Sequence, residues 1–193
     1  MFDNLQSYRI ILASNSPRRH ELLRGLGVPF TVRTLADIDE SYPQTLCGEE
    51  IPLFIAQKKA QAYLPTLGEG ELLITADTIV YLDGRVLGKP RDEEEAMSML
   101  RMLSGRTHEV FTGVSLSTQK RTRAFAAASQ VTFAPLTDTE IEWYVHTFHP
   151  IDKAGAYGVQ EWIGMVGVRR IEGSYFNVMG LPVQRLYEEL KAW

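Results

Sequence analysis

One cysteine, Cys47, occurs in 193 residues. A single thiol excludes an internal disulfide and any zinc site built from several cysteines, and it fits a reducing compartment. No apolar run approaches the roughly 20 residues of a membrane span. The opening residues, Met1 to Ser7, lack the basic and apolar stretches of a signal peptide. A cytoplasmic protein with no membrane partner is the expectation. Positive charge is scarce as well: 20 Lys and Arg against 24 Asp and Glu give a net charge of -4. Binding to a nucleic-acid backbone needs a broad basic face, so nucleic acid is not an expected partner, whereas a small polyanion in a local basic pocket is compatible with this balance. The four histidines form no cluster in sequence. His146 and His149 have a spacing that suits a metal but no evident third ligand, and they read as surface or capping residues, with His20 and His108 structural. Ser14 has no histidine base in range and no Gly-x-Ser-x-Gly elbow, and Cys47 has no basic neighbour to activate it, so neither a serine nor a thiol nucleophile is expected. No repeat, low-complexity tract or Pro/Gly/Ser linker divides the chain, and residues 1–193 read as a single domain.

What the chain does have begins at Ser14-Asn15-Ser16-Pro17-Arg18-Arg19. An apolar run, Ile10 to Ala13, precedes it as a buried strand, and leucines at helical spacing follow it. A strand, a short polar turn and a helix make an arrangement suited to phosphate. The first N–H groups of the helix lack partners within it, and its start carries partial positive charge. Ser14 and Ser16 add hydroxyl donors, and two arginines add forked hydrogen bonding. Pro17 suits the first turn, where its missing N–H is not needed. An ordinary capped surface helix is the alternative, but it leaves two arginines opposing the helix dipole without a reason.

The rest of the chain alternates strands and helices. Pro29 to Val32 reads as a strand, Leu35 to Gly48 as an acidic loop and Glu49 to Tyr63 as a helix. Leu72 to Leu82 follows as a strand, with Asp83-Gly84 turning into Arg85-Val86-Leu87. Asp92 caps a helix, with Glu95 three residues on. Glu109 to Leu116 and Ala124 to Ala134 form an antiparallel pair. A helix opens at Asp138, a strand runs from Met165 to Ile171, and a closing helix spans Pro182 to Ala192 with Leu186 and Leu190 inward. The mixture argues for an α/β or α+β fold with a long twisted mixed sheet flanked by helices.

Asp77 interrupts the apolar Leu72–Leu82 strand. A carboxylate there must be paired, hydrogen-bonded or bound to metal. Beside a phosphate site it would hold a divalent cation or deprotonate water; otherwise it is a structural strand-end acid. Glu40 lies in the acidic loop Asp37-Ile38-Asp39-Glu40, which would repel a triphosphate unless a cation lay between them. Lys59 and Lys89 are candidate phosphate ligands, each with a solvated-surface alternative. Asp152 to Gln160 is rich in small residues, and Gln160 offers both a donor and an acceptor to a base edge.

These segments together resemble the Maf family of nucleoside triphosphate pyrophosphatases over almost the whole length. Ala13–Arg19, Asp39-Glu40, Lys59-Ala60, Ala76–Val80, Lys89-Pro90, Leu103–Gly105, Thr112–Val114, Asp152–Gln160 and Gly173–Pro182 carry the likeness in order. The resemblance implies an elongated α/β fold similar to that of inosine triphosphate pyrophosphatases, with two lobes and a central cleft, a homodimer, and a divalent metal, Mg²⁺ or Mn²⁺. It implies Asp77 as general base and Ser14, Arg19, Glu40, Lys59 and Lys89 at the phosphate and metal end, with Glu40 and Asp77 as metal ligands. Arg18, Thr78 and Gln160 match the positions that set nucleobase choice, and they resemble the branch acting on dTTP and UTP rather than the one acting on 7-methyl-GTP. A departure is Glu161-Trp162-Ile163, where relatives often have glycine. The implied activity is release of pyrophosphate from pyrimidine nucleoside triphosphates, standard or modified, as a housecleaning enzyme. A nucleotide-binding regulator of cell division, with hydrolysis secondary, would need the same residues.

Overall fold

The computed structural model describes residues 2–193. Among them the strands β1 (Arg9–Leu12), β2 (Phe30–Val32), β3 (Glu71–Leu82), β4 (Arg85–Leu87), β5 (Thr107–Ser117), β6 (Thr122–Phe133) and β7 (Val168–Glu172) belong to one sheet in the order β2-β1-β3-β5-β6-β7, with β4 paired to β3. The chain divides into two compact units, and three of the four boundaries fall within strands: the first unit holds the chain up to Asp77, Thr112–Ala127 and Gly180–Trp193, and the second holds Thr78–Phe111 and Ala128–Met179.

In the first unit, β1 (Arg9–Leu12) lies between β2 (Phe30–Val32) and β3 (Glu71–Leu82), parallel to both, with Ile10 opposite Phe30 and Leu72. Ile10, Ile11, Leu12, Leu72, Leu73 and Ile74 are all buried. A parallel strand covered on both faces needs apolar residues at every position, which is why these segments read as runs and do not alternate. Helices α1 (Pro17–Gly25) and α2 (Glu50–Tyr63) follow β1 and the acidic loop. The α2 contact is tight at Gly113 of β5 (Thr107–Ser117): a Cβ there would collide with the backbone of Pro52 and Leu53. Thr75 Oγ1 also donates to the Ala56 carbonyl at 2.7 Å. Glu71 opens β3 under a forked pair from Arg33, at 2.9 and 2.7 Å, and accepts from the Gly68 N–H at 2.9 Å. The closing helix buries Leu186 and Leu190 as expected.

In the second unit β3 runs on to Leu82 and turns at Asp83-Gly84, both at positive φ (50° and 78°), into β4 (Arg85–Leu87). Positive φ at both central residues is the twist-matched hairpin geometry that Asp-Gly favours. Asp92 caps α3 (Glu93–Leu103) by accepting from Glu95 N–H at 2.8 Å; the Glu95 carboxylate reaches back to the Arg91 N–H, one residue earlier than a reciprocal box requires. The full box occurs at α4 (Asp138–Phe148), between Thr137 and Glu140. β6 (Thr122–Phe133) pairs antiparallel with β7 (Val168–Glu172), Gln130 opposite Glu172.

The strand expected from Met165 starts only at Val168. Trp162–Val166 is a short helix, α5, closed by the Gly167 N–H on the Ile163 carbonyl. Its apolar letters misled because Met165 is 77% exposed and Val166 48%: they mark no buried face. Tyr175–Met179 is likewise helical (α6), ahead of α7 (Val183–Lys191).

Candidate active site

β1 ends at Leu12 while its parallel neighbour β3 continues, with the Ala13 N–H on the Ile74 carbonyl at 2.9 Å. The polar turn from Ser14 therefore leaves the carboxyl end of β1 alongside the Thr75–Asp77 stretch of β3. In α/β sheets the carboxyl ends of parallel strands are where ligands bind. Ser14 is buried, and its hydroxyl accepts from the Ser16 N–H at 3.1 Å. His20, one turn into α1, places Nε2 2.6 Å from the Ser14 carbonyl oxygen. Ser16 occupies the N-cap position without a side-chain cap, and Pro17 follows in the first turn.

Arg19 points back from α1 and donates through Nε to the Gly180 carbonyl at 2.8 Å. Burial draws its guanidinium below the ordinary value; the Asp77 and Glu40 carboxylates oppose that fall, and Arg18 adds to it. The polar turn and the mid-strand acid thus share one electrostatic neighbourhood.

Lys59 is the centre of that neighbourhood. From α2 its Nζ lies 2.8 Å from Asp77 Oδ1 and 3.0 Å from Glu40 Oε1. Its side chain and that of Asp77 are each only 13% exposed, whereas Glu40 is 55% exposed. A buried carboxylate with a cationic partner avoids the cost of an uncompensated charge. Glu40 gives the site its open side.

The acidic loop is held by the preceding lysine. Lys58 Nζ donates to Asp39 Oδ2 at 2.6 Å, the Ser41 carbonyl at 2.8 Å and Ser41 Oγ at 3.0 Å, and Asp39 accepts from the Ser41 N–H at 2.9 Å. These bonds hold the Asp39 carboxyl well below the usual carboxylate range. Consecutive lysines on α2 therefore grip consecutive acids in the loop: Lys58 takes Asp39 and Lys59 takes Glu40. Sequence reasoning missed Lys58 and Asp39 as supports, and read His20 as structural without its partner. The paired spacing Asp39-Glu40 and Lys58-Lys59 is the signal that held the first two.

Ser14, Arg19, Glu40, Lys59 and Asp77 all belong to the first unit, where Arg19, Glu40, Lys59 and Asp77 interact; Arg18 lies beside Arg19 on α1. Thr78, Lys89 and Gln160 belong to the second unit. Thr78 is half-buried on β3, Lys89 is exposed after β4, and Gln160 is half-buried, with its Oε1 buried and unbonded among the described residues. His146 and His149 both meet Glu93, at 3.5 and 3.1 Å, and His149 ends α4 in the left-handed region. Cys47 is exposed.

Among the described residues no group of three or more His, Cys, Asp and Glu is arranged to hold a metal ion by itself. No helix among them is long and apolar enough to cross a membrane.

A family profile described as Maf-like protein matches residues 9–193. A dTTP/UTP pyrophosphatase of Phocaeicola vulgatus is 62% identical over 191 residues, covering 99% of each chain. Proteins of the same name from Bacteroides fragilis and Parabacteroides distasonis are 61% and 56% identical, again over 99% of each chain. Among solved structures, a HAM1 protein from Coxiella burnetii aligns with 96% of this chain and 100% of its own at a TM-score of 0.50 and 15% identity, a likeness of fold.

Proposed function

The chain belongs to the Maf family, and from that premise we propose that it hydrolyses pyrimidine nucleoside triphosphates, dTTP and UTP foremost, to the monophosphate and pyrophosphate. The observation that carries the reading is the meeting of Asp77 and Glu40 on Lys59, in the electrostatic reach of Arg19. Full-length relatives named for that activity support it. No particular observation favours a regulator of cell division.

In this reading the phosphates lie against the Ser14–Arg19 turn, and Arg19 supplies fixed positive charge to them. Lys59 compensates Asp77 before substrate arrives and turns to phosphate oxygen when it does; Lys89 belongs to the same phosphate set. Asp77 takes a proton from water. The water oxygen bonds to the α-phosphorus, the bond from that phosphorus to the bridging oxygen breaks, and pyrophosphate departs with the bond's electrons. Base choice falls to Arg18, Thr78 and Gln160, and the open Gln160 Oε1 accepts a ring N–H.

Hard-oxygen donors suit Mg²⁺ or Mn²⁺, and Mg²⁺ sites commonly use one or two carboxylates, completed by phosphates and water. Two carboxylates drawn together on one ammonium fit that pattern. Glu40 and Asp77 would hold the ion, which neutralises phosphate charge when bound.

Residues 1–193 act as one catalytic module in a cytoplasmic homodimer on the same reading, and light scattering is expected to give twice the 21.8 kDa chain mass. The deciding experiment is a screen of standard and modified nucleoside triphosphates with Mg²⁺, Mn²⁺ or chelator, scored by product. Pyrophosphate from UTP and dTTP, abolished by chelator, is expected. Orthophosphate as first product would instead mean attack at the γ-phosphorus.

A further inference from the structure

The turn that carries Gln160 is locked from behind by buried polar groups. The Glu161 N–H donates to the Gly158 carbonyl at 3.0 Å, closing four residues with Val159 and Gln160 at the centre. The Tyr144 hydroxyl, from α4, serves both ends of this turn: it accepts from the Gly158 N–H at 3.0 Å and donates to Glu161 Oε2. Lys153, buried, stands 3.2 Å from Glu161 Oε1 and 2.6 Å from Asp152 Oδ1. Both Glu161 oxygens are therefore engaged. Burial, then the bond to Glu161, pushes the Tyr144 phenol far above its ordinary value, so its hydroxyl keeps its proton.

Packing fixes the same segment. A Cβ on Gly158 would lie 2.8 Å from Glu161 Cδ and 3.1 Å from Gln160 Nε2, so the Gln160 amide rests on the turn that Tyr144 and Glu161 hold. Against this frame Gln160 Oε1 is buried without a bond among the described residues. A desolvated acceptor left open costs free energy, and a ligand N–H recovers it. Uracil and thymine carry a ring N–H on their pairing edge, and cytosine presents a bare nitrogen there. A site built to receive a hydrogen bond discriminates strongly against a ligand that cannot give one, provided the acceptor cannot move away.

We propose that Tyr144 and Glu161 are positioning residues for base selection, holding Gln160 so that its open oxygen admits bases with a ring N–H and rejects cytosine. This rests on Gln160 meeting the base, as in the preceding subsection.

The test compares kcat/KM for UTP and CTP in the wild type, Tyr144→Phe, Glu161→Ala, Glu161→Gln, Gln160→Ala and the Tyr144→Phe/Gln160→Ala double variant. Tyr144→Phe and Glu161→Ala are each expected to cut the UTP/CTP ratio about tenfold, through the KM for UTP, with kcat within about twofold. Glu161→Gln, which keeps an acceptor for the Tyr144 hydroxyl, is expected to hold the ratio. With Gln160 already replaced, Tyr144→Phe should move the ratio no further. Equal losses on both triphosphates, or a ratio unmoved by Tyr144→Phe and Glu161→Ala, overturns the proposal. A second readout needs no turnover: the Gln160 side-chain NH₂ resonances, identified by their loss in Gln160→Ala, should move in Tyr144→Phe. If the wild type cleaves no triphosphate, the functional reading fails, and an unmoved amide signal in Tyr144→Phe separately refutes the positioning role.

Discussion

Asp77 is the residue on which the proposed chemistry turns. Its carboxylate sits mostly buried on a strand rich in Leu, Ile and Val, with one oxygen on Lys59. Replacing it by Asn keeps the shape and the polar contact but removes the charge that accepts a proton. Asp77→Asn is therefore expected to lower kcat by about 10²–10⁴-fold, the usual worth of a general base, while calorimetry still shows nucleotide binding. Retained turnover removes Asp77 from the base role. His108 is the other residue whose environment sets its protonation. It is buried among Phe133 and Tyr157, its Nε2 2.7 Å from the Tyr157 hydroxyl, and burial holds it down to about 4.

At the scale of elements, two contacts in the first unit tie β5 to α2 and the start of β3 to the segment after β2. Gly113 lets β5 meet the first turn of α2 backbone to backbone, and a methyl group there has no flexible side chain to displace. Gly113→Ala is expected to cost about 3 kcal/mol or more, the upper end of overpacking penalties, read as a lower urea midpoint. Glu71 ties the start of β3 to Arg33 just beyond β2, with the Gly68 N–H closing the turn before it. The Arg33 guanidinium and that N–H hold the Glu71 carboxyl down to about 2. A lowered carboxyl stabilises the fold fully above its unfolded value near 4.5, and that contribution fades as pH falls toward 2. Glu71→Gln should cost about 2 kcal/mol at neutral pH, the range for hydrogen bonds to charged groups. Its deficit relative to wild type should shrink in acid.

For the whole molecule these groups combine into one acid profile. His108 is neutral in the folded state and charges near 6.5 once unfolded. Between about 6.5 and 4 the unfolded chain binds the extra proton, so stability falls as pH falls through that window, by up to about 3 kcal/mol for 2.5 units. Glu71 adds a second decline below 4.5. Chemical denaturation from pH 8 to 3 is expected to show a plateau above 6.5 and then a steady loss. The His108→Leu/Tyr157→Phe double variant, which removes the imidazole and the hydroxyl together, should flatten the upper part of that slope. An unchanged slope in that variant assigns the acid loss to other groups.

Sequence alone determined the order and type of most elements, because each rests on short-range chemistry: apolar runs for strands buried on both faces, Asp83-Gly84 for the hairpin, Asp92 for a cap. It also singled out the Ser14–Arg19 turn and Asp77, since polar or charged residues at the end of or within an apolar strand stand out in a linear pattern, whereas Glu40 and Lys59 gained their place only from the family resemblance. Tertiary structure decided what a linear pattern cannot carry. That Lys59 serves two acids 19 and 18 residues away, that Lys58 and His20 hold the surrounding loops, and that Tyr144 grips both ends of the Gln160 turn all depend on partners brought together only by folding. The same limit explains α5: Trp162, Ile163, Met165 and Val166 fit a strand or a helix equally until their exposure is known, and exposure belongs to the folded surface.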